Sequence, residues 1–333
     1  MRFTEENAHA VVMHRYGGPE VLTYAEVPLT TLAPDEVRIR SIAAAVNHTD
    51  LEIRAGNWPV RKPQPFPYVP GVEVLGEVEE VGEAVHEVSR GDRVITMMQG
   101  LGGVHARRPG GYAEYVTVAA AAVAPVASGI DPYEMAAIGL PGVTAYEGLR
   151  RIGELAGRRI VVTGAAGGVG SAATAIARAQ NATVIGLVSR PEQVDYVRSL
   201  GAHEVIVTSQ ATQAPLLDPR SVDGVLDSVG GDLFEPCVVA LRPGGTLSLV
   251  GAVGGRDVRF NAYELIHPRT LTGYSSETLD GQTLRGAIRA LTEWLVDGSI
   301  KPPMHRTMPL AEVSQAHALM ERKGLSGRLL LIP

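Results

Sequence analysis

The stretch Val161-Val162-Thr163-Gly164-Ala165-Ala166-Gly167-Gly168-Val169-Gly170 decides the fold. Ile160-Val161-Val162 is a short β-branched run that reads as a buried strand, and the alanine-rich segment from Gly170 to Gln180 reads as a helix. A glycine-rich turn between strand and helix lets backbone N–H groups and the positive end of the helix dipole receive a pyrophosphate. Gly167 and Gly168 allow close approach to such an anion, Val169 enters the first turn, and Gly170 lets the helix pack on the strand. Ala165 stands where G-x-G-x-x-G would place its first glycine.

Outward from this loop, strands and helices alternate. Strands are expected at 183–188, 204–207, 222–227 and 246–250, and helices at 191–200 and 233–241, the second stopped near Pro243-Gly244-Gly245. This alternation implies a parallel sheet covered on both faces. Before it, 133–140 and 143–152 read as helices. The first third reads as antiparallel β, with strands at 10–12 and 20–24 flanking Gly17-Gly18, then 37–45, 72–81 around Gly76, 92–97 and 112–118. Helices at 284–296 and 311–322 and a strand at 328–332 close the chain and return to the first module. The expected fold class is therefore α/β, with a β-rich domain over 1–125 and 272–333 and a doubly wound parallel-sheet domain over 126–271.

The strand after the loop ends at Leu187-Val188-Ser189-Arg190 with no acid until Glu192. An acid there would take free ribose hydroxyls; a hydroxyl followed by a guanidinium suits a 2′-phosphate instead, which favours NADPH. A serine N-cap beside a solvated arginine is the plainer reading of the same pair.

The composition is that of an ordinary globular chain, 45% hydrophobic and 20% charged, and a net charge of −6 gives no general attraction to nucleic acid or anionic lipid. Arg107-Arg108 reads as a solvated loop. A lone cysteine, Cys237, excludes an internal disulfide and a multi-cysteine zinc site. No signal sequence or membrane span is read, so a cytoplasmic location is expected.

Tyr16-Gly17-Gly18-Pro19-Glu20-Val21-Leu22, Ala45-Val46-Asn47-His48-Thr49-Asp50-Leu51, Pro70-Gly71-Val72-Glu73, Gly91-Asp92-Arg93-Val94 and Gly110-Gly111-Tyr112-Ala113-Glu114-Tyr115 stand in the first half. Gly142-Val143-Thr144-Ala145-Tyr146, the loop above, Asp227-Ser228-Val229-Gly230-Gly231 and Gly327-Arg328-Leu329-Leu330 follow. With these motifs the chain resembles the zinc-free quinone oxidoreductase branch, ζ-crystallin-like, of the medium-chain dehydrogenase/reductase superfamily. The resemblance implies a GroES-like β-rich catalytic domain and a Rossmann domain with the cofactor between them. It also implies that Thr144, Val250 and Gly251 line the nicotinamide with Asn47 near its reactive face, and that the chain forms a homodimer through the Rossmann sheet.

Zinc-dependent relatives carry Cys where Asn47 stands and His where Val72 stands; an amide and a valine do not make a tetrahedral zinc site. Hydride from NADPH then needs an acceptor that is already polarised, a small-molecule quinone or α,β-unsaturated carbonyl, whose developing oxyanion a donor can stabilise. Asn47 is a candidate donor or nicotinamide holder, and equally an asparagine bonding local backbone. His48 is a candidate proton donor or a plain surface histidine. Glu52 would disfavour acidic substrates if it faced the site, with Arg54 close in sequence to neutralise it. Trp58 and Tyr68 can stack on a flat acceptor or simply pack. Glu73 reads as structural. The alternatives are an enoyl reductase acting in trans on acyl thioesters and a low-turnover NADPH-binding protein.

Overall fold

In a computed structural model the described residues are 3–58, 65–101, 108–210, 215–322 and 326–333. They divide into two compact units, Met1–Leu140 with Ser276–Val296 and Met304–Pro333, and Pro141–Ser275 with Asp297–Pro303.

The first unit opens with β1 (Phe3–Val12) and β2 (Thr23–Thr30), a two-stranded antiparallel ribbon. The second strand begins later than 20–24, because Pro19–Val21 forms a 3₁₀ turn that the proline's fixed φ favours. Then come β3 (Glu36–Ala45), α1 (His48–Ala55), β4 (Glu73–Val81), β5 (Arg93–Met97), β6 (Tyr115–Ala119) and β7 (Val123–Pro125). The register between β3 and β4 shifts beside the pair Ser41–Gly76, and a side chain on Gly76 would collide with the Arg40 carbonyl at 2.3 Å.

Next is α2 (Pro132–Arg150), two helical segments that meet at a kink where Gly139 leaves helical conformation, as the two helices expected at 133–140 and 143–152 require. The chain passes between the units at this bend, at Leu140 and Pro141, not at 125 and 126. Residues 126–140 go with the first unit because Arg93 donates to the Ile130 carbonyl at 2.7 Å and the Leu140 N–H donates to Glu73 Oε2 at 2.5 Å.

The second unit contains β8 (Arg159–Val162), α3 (Gly168–Ala179), β9 (Thr183–Val188), α4 (Val194–Ser199), β10 (Glu204–Val207), β11 (Val222–Asp227), α5 (Phe234–Ala240), β12 (Leu241–Leu249) and β13 (Thr270–Gly273). Its sheet runs β10-β9-β8-β11-β12-β13, all parallel. This is the doubly wound order, with the chain reversing direction across the sheet between β8 and β11. The core under β8, β9, β11 and β12 is mostly aliphatic, with Val161, Leu187, Val225 and Leu247 fully buried beside Phe234 and Cys237.

The first unit is completed by α6 (Gly281–Val296), β14 (His305–Pro309), α7 (Val313–Glu321) and β15 (Arg328–Ile332). β15 pairs antiparallel with the end of β3, Leu330 opposite Ala45, so the C-terminal segment joins the sheet of the first unit.

Candidate active site

In the second unit the glycine-rich loop spans the carboxyl end of β8 and the start of α3, at the reversal point where open parallel sheets bind ligands. Gly167 is the N-cap of α3 and offers no side-chain hydrogen bond, so the cap itself leaves the first-turn N–H groups, which have no partner within the helix, to another acceptor. Gly164 has φ +57, and a Cβ on Gly170 would lie 2.2 Å from the Gly164 carbonyl oxygen. Only glycine permits that closeness, and it leaves a cradle of backbone suited to a pyrophosphate. The loop is stitched to β9 by the Ala165 N–H, which donates to the Leu187 carbonyl at 2.9 Å.

Asp227 locks the neighbouring turn. One buried carboxylate oxygen accepts from the Thr163 hydroxyl at 2.6 Å and from the Val229 and Gly230 N–H groups at 2.9 and 3.1 Å. Ser228 answers by donating its hydroxyl to the Thr163 carbonyl at 3.0 Å. These bonds fix the two loops that flank the reversal point.

The structure brings Val250 and Gly251 to the same end of the sheet, where the Val250 N–H donates to the Asp227 carbonyl at 2.7 Å. Thr144 lies one turn before Gly148, and Gly148 approaches Val250, Leu226 and Ser248 so closely that a side chain there would collide. Ser189 is exposed and Arg190 half-buried just past β9, with Arg190 in extended conformation ahead of a 3₁₀ turn at Pro191–Gln193. The Ser189 hydroxyl reaches the Gln193 side chain at 3.4 Å. Cys237 is buried, and desolvation pushes its thiol well above the ordinary range, which removes it as a nucleophile.

Asn47 and His48 belong to the first unit. Asn47 is the N-cap of α1, a helix the sequence reading missed because its eight residues carry little apolar periodicity. Both Asn47 amide hydrogens are engaged, with the Ala45 carbonyl at 3.2 Å and Glu73 Oε1 at 3.0 Å, and its Oδ1 accepts from Arg328 at 2.9 Å. Donation to a substrate oxygen therefore requires giving up an internal bond. Arg328 also donates to Glu73 Oε1 at 2.9 Å. Burial raises the Glu73 carboxyl, and the Arg328 charge and the Asn47 bond pull it back. Asn47, Glu73 and Arg328, together with the valine at 72, thus fill the place where zinc relatives hold their ligands.

His48 is exposed on the first turn of α1, with Nε2 3.6 Å from Glu52 Oε1. Arg54 does not neutralise Glu52. Two residues further along a helix its side chain points to another face, where it is buried and meets the Gly17 carbonyl, His317 and Glu321. Tyr68 is buried and Trp58 half-buried. Residues 59–64 and 102–107, including Arg107, lie outside the described residues; Arg108 pairs with Glu36. Among the described residues, no three His, Cys, Asp or Glu side chains converge to hold a metal ion, and no helix is long and apolar enough to cross a membrane.

Sequence reasoning missed Asp50. Its carboxyl accepts from the Asn47 N–H at 2.9 Å, the Val72 N–H at 3.0 Å and the Tyr112 hydroxyl. Complete burial pushes it up to about 7. The spacing Asn47-x-x-Asp50, that of a capping box at a helix start, is the sequence signal that could have found it.

Two family models match the chain: "Alcohol dehydrogenase GroES-like domain" over residues 33–128 and "Zinc-binding dehydrogenase" over residues 168–293. A quinone oxidoreductase from Lama guanicoe is 32% identical over 97% of both chains. A 2-haloacrylate reductase from a Burkholderia species is 30% identical over 97% of this chain and 98% of its own. The crystal structure of an Escherichia coli quinone oxidoreductase complexed with NADPH superposes with a TM-score of 0.86 at 28% identity, covering 98% of this chain and all (100%) of that one. With Asn47 and Val72 in place of metal ligands, the chain belongs to the zinc-free quinone oxidoreductase branch of the medium-chain dehydrogenase/reductase superfamily.

Proposed function

We propose that the protein transfers hydride from NADPH to a quinone or an α,β-unsaturated carbonyl without using a metal. The observation that carries this reading is the internal saturation of Asn47 and Glu73 by Arg328, Ala45 and Leu140. Residues so engaged provide no Lewis acid to activate an alcohol or an unconjugated ketone, so the acceptor must bring its own electron deficiency. The curated relatives named above act, by their names, on a quinone and on a halogenated acrylate, both electron-poor.

The residues at the carboxyl ends of β8, β9, β11 and β12 fit a dinucleotide. Gly167, Gly168 and Val169 would hold the pyrophosphate, Ser189 and Arg190 the 2′-phosphate, and Thr144, Val250 and Gly251 the nicotinamide. Bound NADPH supplies the hydride. The chain's part is to bind and orient, and to return a proton to the reduced acceptor; His48 Nε2, open to solvent and beside Glu52, is the proposed donor. Asn47 is proposed to define the wall beside the acceptor.

We further propose that two copies pair along β13. Its outer edge has no partner strand among the described residues, and Tyr263, Leu265 and Ile266 just before it are exposed. Ile266→Glu should convert a dimer seen by ultracentrifugation into a monomer; an unchanged mass would remove this interface. A cytoplasmic setting is proposed on the single, reduced cysteine.

The test of function is a panel of quinones, enones, enoyl thioesters and simple alcohols, followed through NADPH consumption or formation. Turnover with quinones or enones is the expected result. Preference for alcohol oxidation, or no turnover with any acceptor, would overturn the reading.

A further inference from the structure

A second polar chain runs through the first unit behind Asn47 and Val72. It begins at Glu321 on α7, which pairs with the buried Arg54 of α1. Arg54 Nη1 lies 3.2 Å from His317 Nδ1, His317 Nε2 lies 3.2 Å from the Tyr112 hydroxyl, and that hydroxyl bonds Asp50. Tyr112, Asp50, Arg54 and His317 are at most 2% exposed.

The direction of every bond follows from chemistry. A guanidinium has only donors, so Arg54 gives a hydrogen and His317 Nδ1 accepts it. The neutral ring then carries its proton on Nε2 and donates to Tyr112. Tyr112 has one hydrogen and passes it to the Asp50 carboxyl, which also accepts from the Asn47 and Val72 backbones. All donors point inward, and the chain ends on the carboxyl that ties the turn before α1 to the start of β4.

We propose that His317 is a positioning residue, which, as its Nε2–H tautomer between Arg54 and Tyr112, fixes through Asp50 the backbones of Asn47 and Val72 beside the hydride acceptor. This rests on the reading that Asn47 walls the acceptor site. Burial, and then the charge of Arg54, lower the His317 ring to about 3, in keeping with a neutral ring throughout the physiological range. A metal ligand or nucleophile would need an accessible nitrogen, and both His317 nitrogens are engaged.

His317→Gln keeps an acceptor and a donor in nearly the same places, whereas His317→Leu keeps only bulk. Tyr112→Phe removes the last O–H and serves if the leucine variant does not fold. The NADPH-loaded protein is followed in a single turnover with a small quinone, and NADPH affinity is titrated separately. Loss of positioning should slow hydride transfer about ten- to a hundredfold in the leucine and phenylalanine variants, with glutamine restoring most of the rate and NADPH affinity held within a factor of about two. In ¹⁵N-labelled wild type, the His317 ring should report the neutral Nε2–H form, and the Asn47 and Val72 amide signals should shift in the leucine but not the glutamine variant. Equal transfer rates in all variants would overturn the proposal, as would an Nδ1–H or doubly protonated ring at neutral pH. Wild type that consumes no NADPH with any acceptor refutes the functional reading alone, and the ring and amide signals still decide the chain.

Discussion

Replacing His317 by glutamine should change how stability depends on pH, by an amount the burial of the ring sets. In the unfolded chain a histidine takes a proton near pH 6.5; in the fold it resists until about 3. Between those values the unfolded state binds more protons, so the fold is weakened as pH falls, by about 1.4 kcal/mol per unit. At pH 5 the wild type should therefore have lost about 2 kcal/mol relative to pH 7.5 on this account. Asp50 acts in the opposite sense: its carboxyl, raised to about 7, holds a proton in the fold that the unfolded chain releases, so its contribution is present at low pH and lost as pH rises through 7. Glu73, also raised, has the same sign as Asp50. Both carboxyls are common to wild type and variant, so the difference between the two proteins isolates the ring. Glutamine does not titrate, and the wild type's advantage over it should shrink by about 2 kcal/mol between pH 7.5 and 5, or on the order of 1 M in urea midpoint. Trp58 and Trp294 both lie in the first unit, so tryptophan fluorescence during urea unfolding reports on that unit. A constant gap between the two pH values would refute the claim that His317 is held neutral by burial and Arg54.

The purified protein should contain no stoichiometric zinc and keep its activity after chelation; about one tightly bound zinc per chain, with activity lost on its removal, would contradict the Asn47 and Val72 argument. NADPH should bind about ten- to a hundredfold better than NADH, and Arg190→Ala should weaken NADPH while leaving NADH nearly unchanged, since a bond to a charged group is worth about 1.5–3 kcal/mol; equal losses for both cofactors would remove Arg190 from the 2′-phosphate. Gly170→Ala should abolish measurable NADPH binding by calorimetry, because its Cβ would meet the Gly164 carbonyl at 2.2 Å and the loop must open; unchanged affinity would show that the cradle is not the pyrophosphate site.

Much of the second unit was legible because its signals are local. Val161-Val162, the glycines and the alanine-rich helix are contiguous, and every strand of the parallel sheet but β13 announces itself by a short apolar run. The first unit resisted where contacts are remote or elements short. α1 has eight residues, too few for periodicity to register, as are the four of β13 in the second unit. Tyr112 and His317 are 205 positions apart, and no pattern within either segment points to the other.

Arg328 shows how one such contact could still be inferred. It opens a terminal strand whose next three residues are fully buried leucines, and pairing of β15 with β3 sets it beside Asn47: Leu330 opposes Ala45, and the Val46 N–H donates to the Leu329 carbonyl at 2.9 Å. An arginine in such a strand needs an opposite charge, since an unpaired buried cation is among the costliest arrangements a fold can hold. The sequence offers Glu73 at the head of an apolar strand in the same predicament. Two buried charges of opposite sign, each untenable alone, imply each other. That pairing takes both Glu73 Oε1 and Asn47 Oδ1, and it ties the end of the chain to the motif in which the metal ligands of related enzymes are replaced.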